Sequence, residues 1–143
     1  MAQTIREELN ITPAEFLEMG RIGAMYYEQG NLEKAETIFE GLVELDPQCA
    51  DSHSALGALL TQTGRDDQAL IHLNKSVELN PNQIAPYVNR AEIRIRRQKI
   101  EAAVADLKRA IDLDPTETDA GANRARAIVL GLREAFEAKG AYN

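Results

Sequence analysis

The sequence predicts an all-α solenoid of three helix-turn-helix repeats followed by a long C-terminal helix. A period of 34 residues separates the segments Leu45-Asp46-Pro47, Leu79-Asn80-Pro81 and Leu113-Asp114-Pro115. Small and apolar residues also recur in register upstream of each segment. These columns are Ala35, Ala69 and Ala103; Phe39, Leu73 and Leu107; and Val43, Val77 and Ile111. Aromatic residues make up only 5% of the chain and tryptophan is absent, so burial must rest on aliphatic side chains, which favours closely approaching helices.

Each repeat is predicted to be two helices joined by a tight turn. Gly30 and Gly64 lie one period apart where the chain must reverse, and Gln98 takes that place in the third copy. The run 12–15, Thr-Pro-Ala-Glu, is a capping box that predicts the start of the first long helix. Asn31 is predicted to cap the next helix. Proline closes each repeat because it cannot continue the preceding helix.

The period divides the chain into an N-terminal segment, three repeats and a C-terminal part. The predicted boundaries are 1–13 for the segment, 14–117 for the repeats (14–49, 50–83 and 84–117) and 118–143 for the C-terminal helix and tail. Apolar residues at helical spacing continue from Thr118 to Lys139. They are Ala122, Ala125, Ile128, Val129, Leu132 and Phe136. This helix is predicted to cap the open end of the last repeat.

Composition and charge favour one soluble cytoplasmic domain. The chain has 143 residues and a net charge of −7, which makes nucleic acid a poor partner. Residues 1–83 carry a net −9 and residues 84–113 a net +3. No apolar run is long enough to span a membrane, and the N-terminus lacks the apolar core of a secretory signal. Cys49 is the only cysteine, which fits a reducing compartment.

The sequence offers no catalytic, metal or cofactor site. His53 and His72 are the only histidines, and a packing role for His53 is favoured over metal binding, which would need further ligands at suitable spacing. No glycine-rich phosphate loop, nucleophile elbow or paired-cysteine motif is present. We therefore predict no enzymatic activity and no cofactor.

The repeat resembles the tetratricopeptide repeat in its period and in the residue types of its columns, over roughly residues 14–117. In that family the first helices of successive repeats line a concave groove. The resemblance implies that the groove is lined by Leu17, Gly20, Ala24, Tyr27, Asp51, Ser54, Ala58, Thr61, Ala85, Val88, Glu92 and Ile95. This face is small and apolar, so we expect it to bind a segment of a protein partner. Alternatively, the small residues only permit tight packing, or the C-terminal helix occupies the groove.

One kind of partner is disfavoured. Members of the family that grip the acidic tails of heat-shock chaperones use a clamp of Lys, Asn and Arg on their first helices. The matching positions here are Gly20, Ala24, Ala55, Ala85 and Asn89, of which only the last fits. A carboxylate needs charged, bidentate donors.

A basic patch on the third repeat is a second candidate contact surface. It consists of Arg90, Arg94, Arg96, Arg97 and Lys99. The first two arginines occupy columns that normally face the core. Either their stems pack while the guanidinium groups reach water or acids on the last helix, or the patch binds an acidic surface of a partner or a second copy.

The layout is similar to that of bacterial type III secretion chaperones of translocator proteins. Shared features are a short N-terminal segment, three repeats, a long last helix, and the local runs 27–30 (Tyr-Glu-Gln-Gly), Ala35 to Phe39, and Ala91-Glu92. The resemblance implies that the groove holds an extended translocator segment, that Leu17, Ala24, Tyr27, Ala58 and Val88 form its pockets, and that a homodimer can form. The alternative is a general scaffold or assembly adaptor that uses its convex or arginine-rich surface.

Overall fold

A computed structural model describes residues 2–141, and within this range the chain forms eight helices and no strand. The helices are α1 (Ile5–Glu8), α2 (Pro13–Glu28), α3 (Leu32–Leu45), α4 (Ala50–Gln62), α5 (Asp66–Leu79), α6 (Ala85–Arg96), α7 (Ile100–Asp112) and α8 (Ala120–Ala141). The pairs α2–α3, α4–α5 and α6–α7 are the three predicted repeats. No helix in the described part of the chain combines the length and hydropathy needed to cross a membrane.

The predicted turns and helix starts are confirmed. Gly30 and Gly64 have positive φ angles of 79° and 76°, and Gln98 repeats this backbone conformation at 59°. The Thr12 hydroxyl accepts a hydrogen bond from the Glu15 amide, while the Glu15 carboxylate accepts one from the Thr12 amide. The Asn31 side chain caps α3 in the expected place. Local polar chemistry thus sets where the helices begin and reverse.

The N-terminal segment contains a helix that we did not predict. α1 begins with its own capping box, in which Thr4 and Glu7 exchange hydrogen bonds. The Arg6 guanidinium lies over the Phe16 ring of α2, with its carbon 5.1 Å from the ring centre. An ion pair with Asp46, 3.4 Å from Arg6 Nη1, joins the same side chain to the end of α3. These contacts bring residues 4–9 into the folded structure.

The chain divides into two compact units, the first ending at Pro81 and the second beginning at Asn82. In the first unit the column residues Ala35, Ala69 and Leu73 are completely buried. Glycine allows the helices of each pair to approach closely. A methyl group added at Gly57 would lie 2.6 Å from Leu73 Cδ2, and one at Gly23 would lie 2.6 Å from Phe39 Cε1. The small first-helix residues are therefore needed for packing.

The second unit consists of α6, α7 and α8. Its fully buried column residues are Ala91, Ala103 and Leu107. From α8, Ala122 and Ala125 are buried as well, so the first half of this helix covers the third repeat as predicted. Side chains further along the helix are more exposed. Phe136, which we assigned to the apolar stripe of the cap, is 63% exposed, and Leu130 is 54% exposed.

Asp114 fixes the start of α8. Its carboxylate accepts hydrogen bonds from the amides of Thr118 and Asp119, at 3.2 and 3.1 Å, and from Arg126 of α8 at 3.0 Å. Burial raises the pKa of Asp114, but the hydrogen bonds from Arg126 and from the two amides outweigh it and hold that pKa below its usual range. Asp114 therefore remains ionised and anchors the connection between α7 and α8.

Candidate functional site

The first unit contains an apolar pocket of about 510 Å³ formed by α1, α2, α3 and the start of α4. Its lining residues are Arg6, Pro13, Phe16, Leu17, Gly20, Arg21, Ala24, Phe39, Leu42, Cys49, Asp51, Ser52 and Ala55. The volume falls within the range of ligand-binding clefts, which are generally apolar with a few polar groups. We call this cavity the first-unit pocket.

Small residues on the facing helices create the space. A methyl group built at Gly20 would meet its nearest neighbour, Leu42 Cδ1, only at 4.0 Å, so the wall at Gly20 is open. Ala24 is exposed and Ala55 is half-buried. Phe39 and Leu42 from α3 are nearly fully buried and belong to the hydrophobic core. The pocket therefore has a rigid inner wall and an open mouth lined by short side chains.

Several polar residues also line the pocket. Arg6 and Arg21 come from α1 and α2, and Arg21 forms an exposed ion pair with Glu18 at 3.6 Å. Asp51, Ser52 and the half-buried Cys49 contribute from the start of α4. No hydrogen-bond partner for the buried Nε atom of Arg6 exists among the described residues. An unpaired donor thus lies in the wall of an apolar cavity.

The pocket brings together part of the predicted groove. Leu17, Gly20 and Ala24 line it, as does Asp51, and Ala55 comes from the positions that we compared with the carboxylate clamp. At the clamp positions of this unit the pocket is lined by glycine and alanine. Leu17 is 60% exposed, which leaves a large apolar side chain at the surface.

Other predicted groove residues of the first unit do not line this pocket. Tyr27 is half-buried with its ring centre 6.5 Å from that of Phe39, and Ala58 is half-buried. Ser54 and Thr61 are buried, and the Thr61 hydroxyl donates to the Gly57 carbonyl at 2.7 Å. Their place in a partner-binding groove stays a prediction.

The predicted groove residues of the second unit differ in accessibility. Ala85, the first residue of α6, is exposed, whereas Val88 is only 3% exposed and Ile95 is half-buried. Glu92 forms an ion pair with Arg124 of α8, so this carboxylate already has a partner within the unit. For these residues too, partner binding stays a prediction.

The basic patch is largely internal at its first two arginines. Arg90 donates to the Asp106 carboxylate from Nε at 2.9 Å and from Nη2 at 2.7 Å, and Arg94 donates to it at 2.7 Å. The side chains of Asp106 and Arg90 are only 5% and 13% exposed. Of our alternatives for these arginines, pairing with acids on the last helix is wrong, because α7 of the same repeat supplies the acid. Binding of the patch to a partner stays a prediction. The patch members at the end of α6 and in the following turn, Arg96, Arg97 and Lys99, are exposed.

The two histidines form a contact inside the middle repeat. Their Nδ1 atoms lie 3.1 Å apart and their rings stack with centres 5.3 Å apart, while His53 Nε2 lies 2.8 Å from the Pro47 carbonyl. A carbonyl only accepts, so His53 carries its proton on Nε2 and accepts from His72 Nδ1. The expected packing role of His53 is confirmed. Among the described residues, no three His, Cys, Asp or Glu side chains form a group that could hold a metal.

Burial in the helix pair and the neighbouring His53 lower the pKa of His72 below its ordinary value. His72 is thus held neutral over more of the pH range than a free imidazole. The contact was not predicted, because a separation of 19 residues does not by itself indicate proximity.

Sequence reasoning also missed the α1 and α3 walls of the pocket. The run 4–7, Thr-Ile-Arg-Glu, is a capping box that predicts a helix start, and it would have indicated α1. Phe39 was assigned to the core alone, and it also lines the pocket.

Two models of the tetratricopeptide repeat match this chain, one over residues 16–82 and the other over residues 84–117. Together they cover more than two thirds of it. The chain therefore belongs to the tetratricopeptide-repeat family.

Within that class, the fold is similar to type III secretion translocator chaperones. SycD of Yersinia enterocolitica superposes with a TM-score of 0.77 at 18% identity, covering 92% of this chain and 99% of that one. PcrH of Pseudomonas aeruginosa, in complex with the chaperone binding region of PopB, gives 0.71 at 24% identity, covering 82% and 96%. At these identities the similarity shows a shared fold.

A curated relative of different length also matches. The chain is 30% identical over 90 residues to the protein CTR9 homolog of Arabidopsis thaliana. The match covers 62% of this chain but only 8% of that protein. It shows a relationship between repeat segments, and the chain spans a small part of the relative.

Proposed function

We propose that this protein is a non-enzymatic, cytoplasmic chaperone that binds an extended, partly apolar segment of a secreted translocator in the first-unit pocket. The observation that carries the proposal is the open apolar cavity lined by Leu17, Gly20, Ala24 and Ala55. An extended chain presents side chains singly, and a cavity of about 510 Å³ can take one bulky side chain with its neighbours. The similarity to SycD and to PcrH, whose structure was solved with the chaperone binding region of PopB, supports this class of partner.

The alternative of a scaffold acting through the arginine-rich surface is not better supported, because two of its five members already have a partner. Asp106 engages both Arg90 and Arg94, and its side chain is almost completely buried. A partner's carboxylate would have to compete with an ion pair that is already formed and largely shielded from water. A segment that binds in the first-unit pocket does not have to displace an existing ion pair from its apolar lining, because the pocket is open.

Filling the pocket tests the proposal. Ala24 is exposed, lies in the C-terminal half of α2 and lines the pocket, so Ala24→Phe should occupy the space without disturbing the core. We expect it to weaken binding of peptides selected from a library of short random sequences by at least about tenfold, equivalent to about 1.4 kcal/mol. Fluorescence anisotropy with labelled peptides measures this change.

The matched control is Ala14→Phe. Ala14 is also exposed on α2 but is not among the pocket residues, so the same increase in size should leave peptide affinity unchanged. Equal affinities of the Ala24→Phe variant and the unmodified protein for every selected peptide would contradict the proposal. Failure of the library to return any apolar binder would do the same.

A further inference from the structure

Arg6 is one of three charged side chains that line the first-unit pocket, the others being Arg21 and Asp51. It comes from α1, its side chain is 25% exposed, and its guanidinium carbon lies 5.1 Å from the centre of the Phe16 ring. Its ionic contact within the described structure, to Asp46 Oδ2, is long at 3.4 Å. Its Nε atom is buried without a hydrogen-bond partner among the described residues.

An unpaired buried donor is costly, and the cost is recovered when an acceptor arrives. Guanidinium has five N–H groups in a fixed plane, and one long ion pair leaves donor capacity unused. The guanidinium lies over the Phe16 ring, and both residues line the pocket. An occupant that places an oxygen beside Arg6 would supply the missing acceptor.

We propose that Arg6 determines how a bound segment is oriented by donating a hydrogen bond to one of its main-chain carbonyl groups. This inference rests on the proposed function, because it assigns a role to a residue of the same pocket. The occupant is then an extended peptide that inserts a bulky apolar side chain beside Leu17 and Ala24 and presents the neighbouring carbonyl to Arg6.

Charge favours a neutral carbonyl over a carboxylate as the acceptor. Asp46 already lies beside the guanidinium, and Asp51 also lines the pocket. The first unit carries a net charge of −9. A further carboxylate would be repelled by this field, whereas a carbonyl gains the hydrogen bond without that penalty.

Substitutions of Arg6 and of Asp46 distinguish two roles of Arg6. One is a hydrogen bond to the bound peptide, and the other is the attachment of α1 through the ion pair with Asp46. Arg6→Met keeps an unbranched stem over Phe16 but removes every donor, and Arg6→Lys keeps the charge beside Asp46 but removes the Nε donor. Asp46→Asn removes the ion pair while keeping an oxygen that can accept from the Gln48 amide. Each variant is titrated with a peptide selected by the unmodified protein, and circular dichroism melting checks that it folds.

We expect Arg6→Met to weaken binding by about tenfold and Arg6→Lys to weaken it by a smaller factor, while Asp46→Asn stays within about twofold. Raising the salt concentration from about 0.05 to 0.5 M should change the affinity little, because a carbonyl carries no net charge. Equal losses in the Arg6→Met and Asp46→Asn variants would show that Arg6 only holds α1 in place and would overturn the inference.

Two further results would also overturn it. Strong weakening by salt, together with an acidic residue common to all selected peptides, would assign Arg6 to a carboxylate. Unchanged binding in Arg6→Met, with binding lost in Ala24→Phe, would refute the role of Arg6 and leave the proposed function intact. Unchanged binding in Ala24→Phe would instead refute the proposed function.

Discussion

The second and third repeats have the same backbone plan but hold their helix pairs together with different chemistry. In the second repeat Leu56, Leu60 and His72 occupy three columns, and the two leucines are buried. One period later the same columns hold Arg90, Arg94 and Asp106, which form a shielded ionic cluster. The unit that ends at Pro81 has a net charge of −9, and the unit that begins at Asn82 has a net charge of +2.

The comparison shows that one helix-pair geometry tolerates either apolar or ionic side chains between its helices. Burial of apolar side chains lowers the free energy of the folded state. None of these side chains depends on a single partner. A shielded ionic cluster satisfies its own charges, but each member then depends on the others. The third repeat should therefore be far more sensitive than the second to loss of one polar side chain.

Removing the shared acid should give the largest effect. Asp106→Ala leaves Arg90 and Arg94 facing each other without a counter-charge, and we expect the free energy of unfolding to fall by about 3 kcal/mol. Urea denaturation followed by circular dichroism measures this. Replacing the whole cluster by residues of the earlier repeats, as Arg90→Leu, Arg94→Leu and Asp106→Ile together, should cost much less than the single change. A triple variant as unstable as Asp106→Ala would contradict our account of the cluster.

An added methyl group at the close helix contact should have an intermediate effect. Gly57→Ala would place its Cβ 2.6 Å from Leu73 Cδ2 and 2.8 Å from its Cγ, so the buried Leu73 must move. We expect a loss of about 2 kcal/mol. Gly41→Ala is the control, because nothing lies within 4 Å of the added methyl and helix propensity favours alanine by about 1 kcal/mol. Similar stabilities of the two variants would argue against tight packing at Gly57.

The histidine contact should give the smallest effect and a pH-dependent one. The pKa of His72 is lowered in the folded state from its ordinary value of about 6.5. Below that pH the His72 side chain therefore binds protons more readily in the unfolded chain than in the folded one. The free energy of unfolding should be unaffected by His72 above that pH. It should decline as the pH falls from the pKa of His72 in the unfolded chain towards its lower pKa in the folded protein. His72→Asn, which keeps a donor for His53, should make this decline shallower. Unfolding measured at several pH values tests it, and identical slopes in both proteins would refute it.

The sequence was sufficient for the helices and turns because these depend on local chemistry. The Thr12 capping box, Asn31 and the two turn glycines each act within a few residues, and their effects are readable without tertiary information. The 34-residue period and the recurring residue columns predicted which helices pair within each repeat. The failures concern contacts that depend on a specific partner, such as Asp106 between two arginines.

The candidate site was only partly predictable for the same reason. Leu17, Gly20 and Ala24, which the family resemblance assigned to the groove, line the pocket, and their binding of a partner stays a prediction. Arg6 was not assigned to it, because the contribution of α1 depends on its contacts with Phe16 and Asp46. The exposure of Phe136 also escaped prediction. An apolar stripe shows which face of α8 could pack, but it does not show how far along that face the neighbouring helices extend.

The turn of the third repeat shows why glycine is replaceable there. Gln98 has a φ angle of 59°, where the first two turns have glycine. A side chain in this conformation is strained in the folded protein, yet it also restricts the unfolded chain, which lowers the entropy lost on folding. The two effects oppose each other, so a residue other than glycine can take this position. A search for such repeats that requires glycine at the turn would therefore miss genuine copies, whereas the buried alanine columns would find them.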